Sequence, residues 1–476
     1  MSRSAGSPDE TPRFVFWFYW GAEVRSYLFS GLIEELSRTA DVVVLTRKIP
    51  AGVEEIAGQG VEFRQLPEIT VSRLHGWLVT LANHVHLKWL ENRKEVLAVG
   101  DRAAVPLHAW GWKKRAKVFL GGILGHAGIV QGLGKMEAIA ERRTARRLAP
   151  LVPARAGNVM LISGDYLSPG GAGIAAAVTA AGGESVFFPL NWRDVYKGAR
   201  LRRMFTTWLF WNEDMRRTAL SFNPVLAASR TGVVGALQFD GHFREEWRED
   251  REPFLGSVGL DPSRPVMCYS AVAENAFAGE AALVVAILKA LERSAEGKRI
   301  QLLVRLNPAG SDPAYDDLPQ RFPGRVAVYR PELEDQPSGG PPWKSPSLRD
   351  ARFFSNTIRH CGANIGLPST VMLDFGVLGK SSICIGFSGE AERGVRRFLE
   401  QPFFREAQAR QVWPIAEDPE QAARLLLRLV HEPACEPALS AYLADVVGEI
   451  DGKNHRRVAN LLRSLGTREG DSMTHA

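Results

Sequence analysis

The sequence lacks the features of several protein classes. It has only four cysteines among 476 residues, too scattered for a zinc knuckle or a CxxC motif. Cys268 and Cys384 lie in apolar strand patterns, so we expect reduced, buried thiols in a cytoplasmic protein. Neither a DxD motif nor a cluster of histidines and aspartates is present. We therefore expect no metal site.

The sequence also lacks a secretion signal and a long apolar run. The first residues, MSRSAGSPDETPR, are polar, and no apolar segment with a cleavage site follows. The longest charge-free run, VFLGGILGHAGIVQGLG (118–134), is shorter than the ~20 apolar residues of a spanning helix. Two interpretations stay open: a buried glycine-rich helix pair, or a peripheral contact of residues 110–135 with the inner membrane, aided by KKRAK (113–117).

The charge is biased toward basic residues. The formal net charge is +6 and the pI is near 9.2. Basic residues concentrate in KKRAK, ERRTARR (141–147) and RLRR (200–203), which suits phosphate-bearing or anionic-membrane partners, with a solvated surface as the alternative. Because acidic residues are interleaved and no known binding module appears, we expect no nucleic-acid partner.

The first half of the chain predicts repeated strand-helix-strand units. RFVFWFYW (13–20) is typical of a buried strand, RSYLFSGLIEELSRTA (25–40) of one amphipathic helix, and DVVVLT (41–46) of a second strand. Two further units follow at 159–190 and 208–236. This order predicts a parallel sheet.

The second half repeats the pattern after a charged connection, QFDGHFREEWREDREPF (238–254). Strands are predicted within 266–272, 300–306, 325–331, 362–367 and 381–387, a proline- and glycine-rich loop at 331–347, and terminal helices near 419–431 and 437–465. We therefore predict an α/β protein with two Rossmann-like, doubly wound domains facing a cleft. The predicted domains are 1–245, 255–435, and C-terminal helices at 436–476 that pack back before a polar tail.

The stretch GLPSTVMLDFGVLGK (366–380) places a single acidic residue in an apolar helix. With Ser369 or Thr370 as the N-cap, the first-turn amides form a seat for a phosphate group. Asp374 lies one turn further, about 6 Å along the axis, which suits the hydroxyls of a ribose. The alternative is a capped helix whose aspartate bonds a neighbouring loop.

Three further residues are predicted at the same sheet edge. Arg305 lies near the end of a strand in VRLNPAG (304–310), where its guanidinium can fork onto a phosphate group and Asn307 can donate through its amide. Ser270, in CYSAVAEN (268–275), follows the first strand of the domain. Since ligands of open α/β sheets bind at the carboxyl ends of the strands, all three are candidate substrate-binding residues.

These motifs resemble a known family. STVMLDFG (369–376) resembles the S-S-V-M-F-D-F-A signature of CDP-glycerol glycerophosphotransferases, and VRLNP resembles their R-x-H-P motif. The resemblance spans roughly residues 255–390 and implies the GT-B fold, which UDP-N-acetylglucosamine 2-epimerase shares. It implies that Ser369 and Thr370 lie near the phosphates, that Asp374 contacts ribose, and that Arg305 and position 307 meet a phosphate.

The sequence departs from both relatives. Asn307 stands where the transferase family has histidine. The W-H-G-T motif with its catalytic histidine is absent, and FPLNWRDVY (188–196) occupies the comparable region, which counts against glycerophosphate transfer. The S-G-G-x-Q-E-E segment of the epimerase is also absent.

Glu23 and Asp165 are the candidate catalytic bases. In GT-B enzymes the donor binds the C-terminal domain and the acceptor the N-terminal one, so a base should come from N-terminal loops after strands. Glu23 in YWGAEVRSY and Asp165 in ISGDYLSP meet this condition. The alternatives are a first-turn acid and a turn residue. His126 and His242 are set aside as lone histidines without a visible partner.

The first hypothesis is a cytoplasmic, metal-independent glycosyltransferase that uses a nucleotide-activated sugar as substrate and needs no other cofactor. Its acceptor would be a surface glycan or a related glycoconjugate, including a lipid-linked one. One alternative is a CDP-polyol-type polyol-phosphate transferase. The other is a non-catalytic nucleotide-sugar-binding protein of a glycan assembly complex.

Overall fold

A computed structural model describes most of the chain. The described residues are 13–66, 69–93, 127–152, 159–165, 168–192, 194–196, 200–201, 205–274, 276–308, 310, 312–332, 345–387, 392–432 and 437–466. They form two compact units. The first takes the described residues up to Gln238 and from Lys453 onward, together with Ser345, and the second takes those of Phe239–Glu334 and Pro346–Gly452.

The strands and helices are numbered in chain order. The strands are β1 Arg13–Phe18, β2 Asp41–Thr46, β3 Val61–Gln65, β4 Val159–Ser163, β5 Glu184–Phe187, β6 Thr207–Phe210, β7 Arg230–Val233, β8 Val266–Ser270, β9 Gln301–Arg305, β10 Val326–Tyr329, β11 Asn364–Gly366, β12 Ser382–Ile385 and β13 Ile415–Ala416. The α-helices are α1 Leu32–Ser37, α2 Arg73–Asn92, α3 Ala127–Leu148, α4 Pro169–Ala180, α5 Glu213–Phe222, α6 Arg251–Ser257, α7 Ala281–Leu291, α8 Leu318–Arg321, α9 Leu348–His360, α10 Val371–Val377, α11 Glu392–Leu399, α12 Pro402–Ala409, α13 Pro419–His431, α14 Pro437–Val447 and α15 Asn454–Gly466.

The sheet of the first unit is parallel, with the strand order β3-β2-β1-β4-β5-β6-β7. One of its inner strands, β1, has the sequence RFVFWF, and every residue after Arg13 is fully buried. A continuous apolar run fits a strand that is covered on both faces, as parallel sheets are. The predicted strand-helix-strand units are therefore confirmed.

The helix predicted over residues 25–40 is interrupted. A π-helical segment, Val24–Phe29, comes first, and α1 follows it. Gly31, between them, has a φ of 94°. A residue in this left-handed conformation cannot continue a right-handed helix, and glycine adopts it without steric cost. The prediction of one continuous helix is wrong for this reason.

The second unit has a parallel sheet with the order β10-β9-β8-β11-β12-β13. Along β8, Met267 and Tyr269 belong to one apolar cluster and Val266 and Cys268 to another. Successive side chains of a strand point to opposite faces, so both faces of this sheet are buried. Together the two units confirm the predicted doubly wound α/β class.

The C-terminal helix predicted over residues 437–465 is two helices. Helix α14 belongs to the second unit and α15 to the first. Gly448 and Gly452, between them, have φ values of 89° and 69°. These left-handed residues end one helix and redirect the chain before the next begins.

Several predictions concern residues outside the described part of the chain. Cys435, His126, and most of both the segment 110–135 and the loop 331–347 are among them. The other three cysteines are buried and have free thiols. Among the described helices, none has the length and apolar character to cross a membrane.

Candidate functional site

Each sheet has a point where the strand order reverses. In the first unit this point lies between β1 and β4, and in the second between β8 and β11. The connections that follow these two strands run in opposite directions, which leaves a crevice at the carboxyl ends of the strands. This is where ligands of open α/β sheets bind.

In the second unit the strand register aligns three candidate positions. Ser270, the last residue of β8, pairs with Arg305 at the end of β9 and with Gly366 at the end of β11. The three residues therefore form one row across three neighbouring strands, beside the reversal point. The stretch with Ser369 and Thr370 follows directly after Gly366.

Ser270 and Gly366 approach each other closely. A Cβ atom at position 366 would lie 2.7 Å from the carbonyl oxygen of Ser270 and 2.9 Å from its Oγ, so only glycine fits there. Ser270 is 5% exposed, and its Oγ has no hydrogen-bond partner among the described residues. A buried hydroxyl in this state is an available group for a ligand at the edge of the sheet.

Thr370 is the N-cap residue of α10, as predicted, but its side chain caps no amide. The amides of Met372 and Asp374 are bonded within the backbone, because they donate to the carbonyl oxygens of Ser369 and Thr370, respectively. The side chains of Ser369 and Thr370 are half-buried. Asn307 is also half-buried, and its carbonyl oxygen accepts the amide of Gly310.

Asp374 uses its charge inside the protein. Its side chain is 0% exposed, and its Oδ1 lies 2.8 Å from Nε2 of His242. An ionised carboxylate only accepts hydrogen bonds, so with Asp374 ionised Nε2 is the donor. His242 lies in the short 3₁₀ segment Leu237–Phe243, so the structure has the alternative arrangement in which the aspartate bonds a neighbouring segment. The description of His242 as a histidine without a partner is wrong.

A chain of contacts continues from this pair to Arg305. The ring of His242 meets Phe354 edge-on, with ring centroids 5.6 Å apart. The guanidinium of Arg305 lies 4.3 Å from the centroid of the same phenylalanine, and its Nη2 donates to both oxygens of Asp350, at 2.9 and 3.1 Å. Asp350 and Phe354 both lie on α9.

Arg305 is therefore paired within the protein. Its side chain is 11% exposed and that of Asp350 is 3% exposed. The Nε atom of Arg305 has no acceptor among the described residues and is a donor still available for a ligand. Phe354 and Asp350 were not predicted, and His242 was considered only as a lone histidine, because no local pattern links residues so far apart along the chain.

In the first unit, Glu23 and Asp165 both follow strands beside the reversal point. The amides of Tyr19 and Trp20 donate to the carboxylate of Glu23, at 3.2 and 3.1 Å. Glu23 is fully buried, and burial is the largest cause that raises its pKa from 4.5 to about 7. The nearby charge of Asp165 raises this pKa further.

Asp165 is held by several donors. The indole N–H groups of Trp17 and Trp20 donate to its two oxygens, at 3.1 and 3.3 Å. The amide of Ser168 donates at 2.9 Å, and the hydroxyl of Ser168 donates as well. Trp20 thus contacts both carboxyl groups, since its amide bonds Glu23 and its indole bonds Asp165. The structure therefore brings the two candidate bases together.

The described residues contain no group of three or more His, Cys, Asp or Glu side chains arranged to hold a metal ion.

Comparison with known proteins identifies the fold. The sequence matches no family model and no curated protein. The structure matches a putative UDP-N-acetylglucosamine 2-epimerase from Listeria monocytogenes, with a TM-score of 0.54, 12% identity, and coverage of 98% of this chain and 100% of that chain.

Two further structures match over nearly the whole chain. One is a UDP-N-acetylglucosamine 2-epimerase, with a TM-score of 0.52, 14% identity, and coverage of 97% and 98%. The other is S. aureus MnaA in a co-structure with UDP, with a TM-score of 0.50, 10% identity, and coverage of 95% and 96%. At these identities the likeness establishes the fold. The protein has the two-domain GT-B fold that its sequence motifs implied.

Proposed function

We propose that the protein is a glycosyltransferase that moves a sugar from a nucleotide-activated donor to a glycan or glycoconjugate acceptor. The observation that supports this most is the row of Arg305, Ser270 and Gly366 beside the reversal point of the second sheet, with Ser369 and Thr370 directly after it. One GT-B structure similar to this chain contains UDP, which supports a nucleotide as the ligand class.

In this proposal the second unit binds the donor. The unpartnered hydroxyl of Ser270 and the half-buried hydroxyls of Ser369 and Thr370 would bond its phosphate and ribose oxygens. Arg305 would contribute its available Nε, and Asn307 its amide. Asp374 is too deeply buried in its present position to reach a ligand, so it would act through His242.

Glu23 is our candidate for the base that takes a proton from the acceptor hydroxyl. With a pKa of about 7, this carboxyl group is partly ionised at neutral pH and binds a proton more tightly than an ordinary glutamate. Asp165 would raise the basicity of Glu23 through its charge while its own oxygens hold the loop after β1. Both carboxyl groups are buried, so the acceptor would need Trp20 to shift.

The STVMLDFG motif favours a second candidate, transfer of a polyol phosphate from a CDP-polyol. The released nucleotide distinguishes the possibilities. Glycosyl transfer releases a nucleoside diphosphate, because the bond between the sugar and the phosphate breaks. Polyol-phosphate transfer releases a nucleoside monophosphate, because the bond between the two phosphates breaks. An epimerase keeps its sugar nucleotide intact, and a non-catalytic binding protein forms no product.

The first test is thermal stability in the presence of CMP, CDP, UDP, GDP and dTDP. A ligand at a hundred times its Kd stabilises the folded state by ~2.7 kcal/mol, which is easily measured as a melting shift. We expect one nucleotide to stabilise the wild type and Ser270→Ala to lose most of that shift. Ser355→Ala is the matched control, because Ser355 of α9 is also a buried serine without a partner among the described residues. Equal shifts in both variants would remove the proposed donor site.

The second test is turnover of the matching sugar nucleotide with glycan acceptors. We expect release of a nucleoside diphosphate by the wild type, and a loss of turnover without a loss of nucleotide binding in Glu23→Gln. Release of a nucleoside monophosphate would favour polyol-phosphate transfer. Nucleotide binding without any product over a broad donor panel would favour the non-catalytic alternative.

A further inference from the structure

A basic pocket lies at the amino ends of the strands of the second sheet, opposite the carboxyl ends where the donor site is proposed. Its volume is about 640 Å³, and its wall includes Val266, Ile300, Gly362 and Lys380, which begin a strand or lie one or two residues before one. The charged or titratable side chains of this wall are Arg251, Arg264, Arg299, Arg359, Lys380, His360, His431 and Glu296. At about 3.3 Å per residue, β8 places this wall ~13 Å from Ser270, so the pocket is separate from the proposed donor site.

Part of this charge has an ordinary structural explanation. The carboxyl ends of α9 and α13 contribute residues to this wall, and basic residues are favoured at such ends. Arg251 and Arg264 each donate three hydrogen bonds, all to backbone carbonyl oxygens. Each nitrogen of the two guanidinium groups therefore has an acceptor. Neither guanidinium has an ion-pair partner among the described residues.

Lys380 lies three residues after the carboxyl end of α10, but unlike Arg251 and Arg264 its side chain donates to no carbonyl oxygen of the described residues. Its ammonium group makes no hydrogen bond or ion pair with any residue that the structure describes, although burial lowers its pKa and the charge of Arg251 lowers it further, against the opposing effect of Cys361. The Nε atom of Arg359 also lacks an acceptor in the described part of the chain. Glu245 offsets some of the charge of Arg359 without forming an ion pair with it.

The remaining acid on the wall does not neutralise these groups. Glu296 pairs with His431. Burial lowers the pKa of His360, and so do the charges of Arg251, Arg359 and Lys380. The pocket therefore holds several cations that repel one another, and a bound anion would relieve this repulsion.

We propose that this pocket binds a phosphorylated small molecule whose phosphate groups carry at least two negative charges. Lys380 and Arg359 are its ligands, because the ammonium group of Lys380 and the Nε of Arg359 donate to no described residue, while Nη2 of Arg359 donates to the carbonyl oxygen of His242. Met267, Leu429 and Val430 add an apolar part to the wall, which fits the non-phosphate portion of the molecule. The volume lies within the usual ~300–1,000 Å³ of small-molecule sites.

Thermal melting with inorganic pyrophosphate tests this proposal, with sulfate at equal ionic strength as the reference anion. We expect pyrophosphate to raise the melting temperature of the wild type more than sulfate does. Lys380→Met should weaken pyrophosphate binding about tenfold or more, since it removes one charge-assisted contact. Lys289→Met, at an exposed lysine of α7, is the matched control and should bind as the wild type does. An equal effect of the two anions, or unchanged binding in Lys380→Met, would overturn the proposal.

Chemical modification of the wild type provides a measurement that needs no variant. The lowered pKa of Lys380 leaves more of its amine unprotonated, so an acetylating reagent should modify it readily. We expect pyrophosphate to slow acetylation of Lys380 but not of Lys289, as measured by mass spectrometry of peptides. Equal rates at Lys380 with and without pyrophosphate would contradict binding at this pocket.

The two proposed sites fail independently. Ser270→Ala should lose the nucleotide response and keep the pyrophosphate response, and Lys380→Met should do the reverse. If pyrophosphate binding is lost in Ser270→Ala and kept in Lys380→Met, pyrophosphate binds at the proposed donor site and the pocket proposal is wrong. The absence of any nucleotide response would refute the donor site alone.

Discussion

Replacing Glu23 with glutamine should make the protein more stable at alkaline pH. The pKa of Glu23 is 4.5 in an ordinary environment and about 7 in the folded protein. The folded state therefore keeps a proton that the unfolded state releases between these two values. The stabilisation from this proton is full below about pH 4.5 and is lost as the pH rises through about 7.

The magnitude follows from the same shift. Each pH unit of displacement corresponds to about 1.4 kcal/mol, so keeping Glu23 ionised costs the folded state about 3 kcal/mol above pH 7. Glutamine stays neutral at every pH and does not have this cost. Its amide group differs from the protonated carboxyl group in how it bonds the amides of Tyr19 and Trp20, which adds an offset that does not depend on pH.

Urea unfolding at several pH values, followed by tryptophan fluorescence, measures the effect. The difference in unfolding free energy between Glu23→Gln and the wild type should rise by about 2–3 kcal/mol from about pH 5 to about pH 8. Glu54→Gln, at an exposed glutamate of the same unit, should show no such rise. When both proteins also carry Asp165→Asn, this rise should be smaller, because the charge of Asp165 contributes to the raised pKa of Glu23. A pH-independent difference would refute a buried, raised-pKa carboxyl group at this position.

Two other perturbations have defined outcomes. Asp350→Leu should destabilise the protein by about 3–5 kcal/mol in urea unfolding, because it leaves the largely buried Arg305 without its partner. Adding Arg305→Met to this variant should recover part of the lost stability. If the double variant recovers none, a direct effect of the ion pair is contradicted. Burial lowers the pKa of His86 from 6.5 to about 3, so the unfolded state gains its proton first on acidification. Between about pH 6.5 and about pH 5 the wild type should therefore lose about 2 kcal/mol relative to His86→Leu, and parallel pH profiles in urea titrations would argue against this.

The raised pKa of Glu23 and the lowered pKa of His86 have opposite effects on the pH dependence of stability. Glu23 favours acidic conditions and His86 favours neutral ones. Both groups are buried, and in both the uncharged form is favoured because it loses less hydration on folding. The stability of the first unit should therefore pass through a maximum on the acidic side of neutrality.

Strong local patterns in the sequence were enough to predict the secondary structure. The apolar run of β1 predicted a buried strand, and the stretch around Thr370 predicted the start of α10. The order of strands and helices predicted parallel sheets, and parallel sheets place the ends of their strands at one edge. That topological rule is why Ser270 and Arg305 were predicted at the same edge before their contact was visible.

Local patterns failed where a single glycine overrides them. The periodicity of residues 25–40 is helical on both sides of Gly31, yet the left-handed conformation of that residue divides the segment. The same is true of the glycines between α14 and α15. Glycine tolerates both helical and left-handed conformations, so its presence does not tell which one the chain adopts.

The partners of the charged groups, in contrast, depend on the folded structure. His242 and Asp374 are 132 residues apart, and Arg305 and Asp350 are 45 apart, so no periodicity in the sequence connects them. Burial is likewise a property of the folded chain, and it sets the pKa of Glu23. The basic pocket around Lys380 assembles from the starts of separate strands and the ends of separate helices. The sequence supplied these charges, and their energies depend on neighbours that only folding brings within a few ångströms.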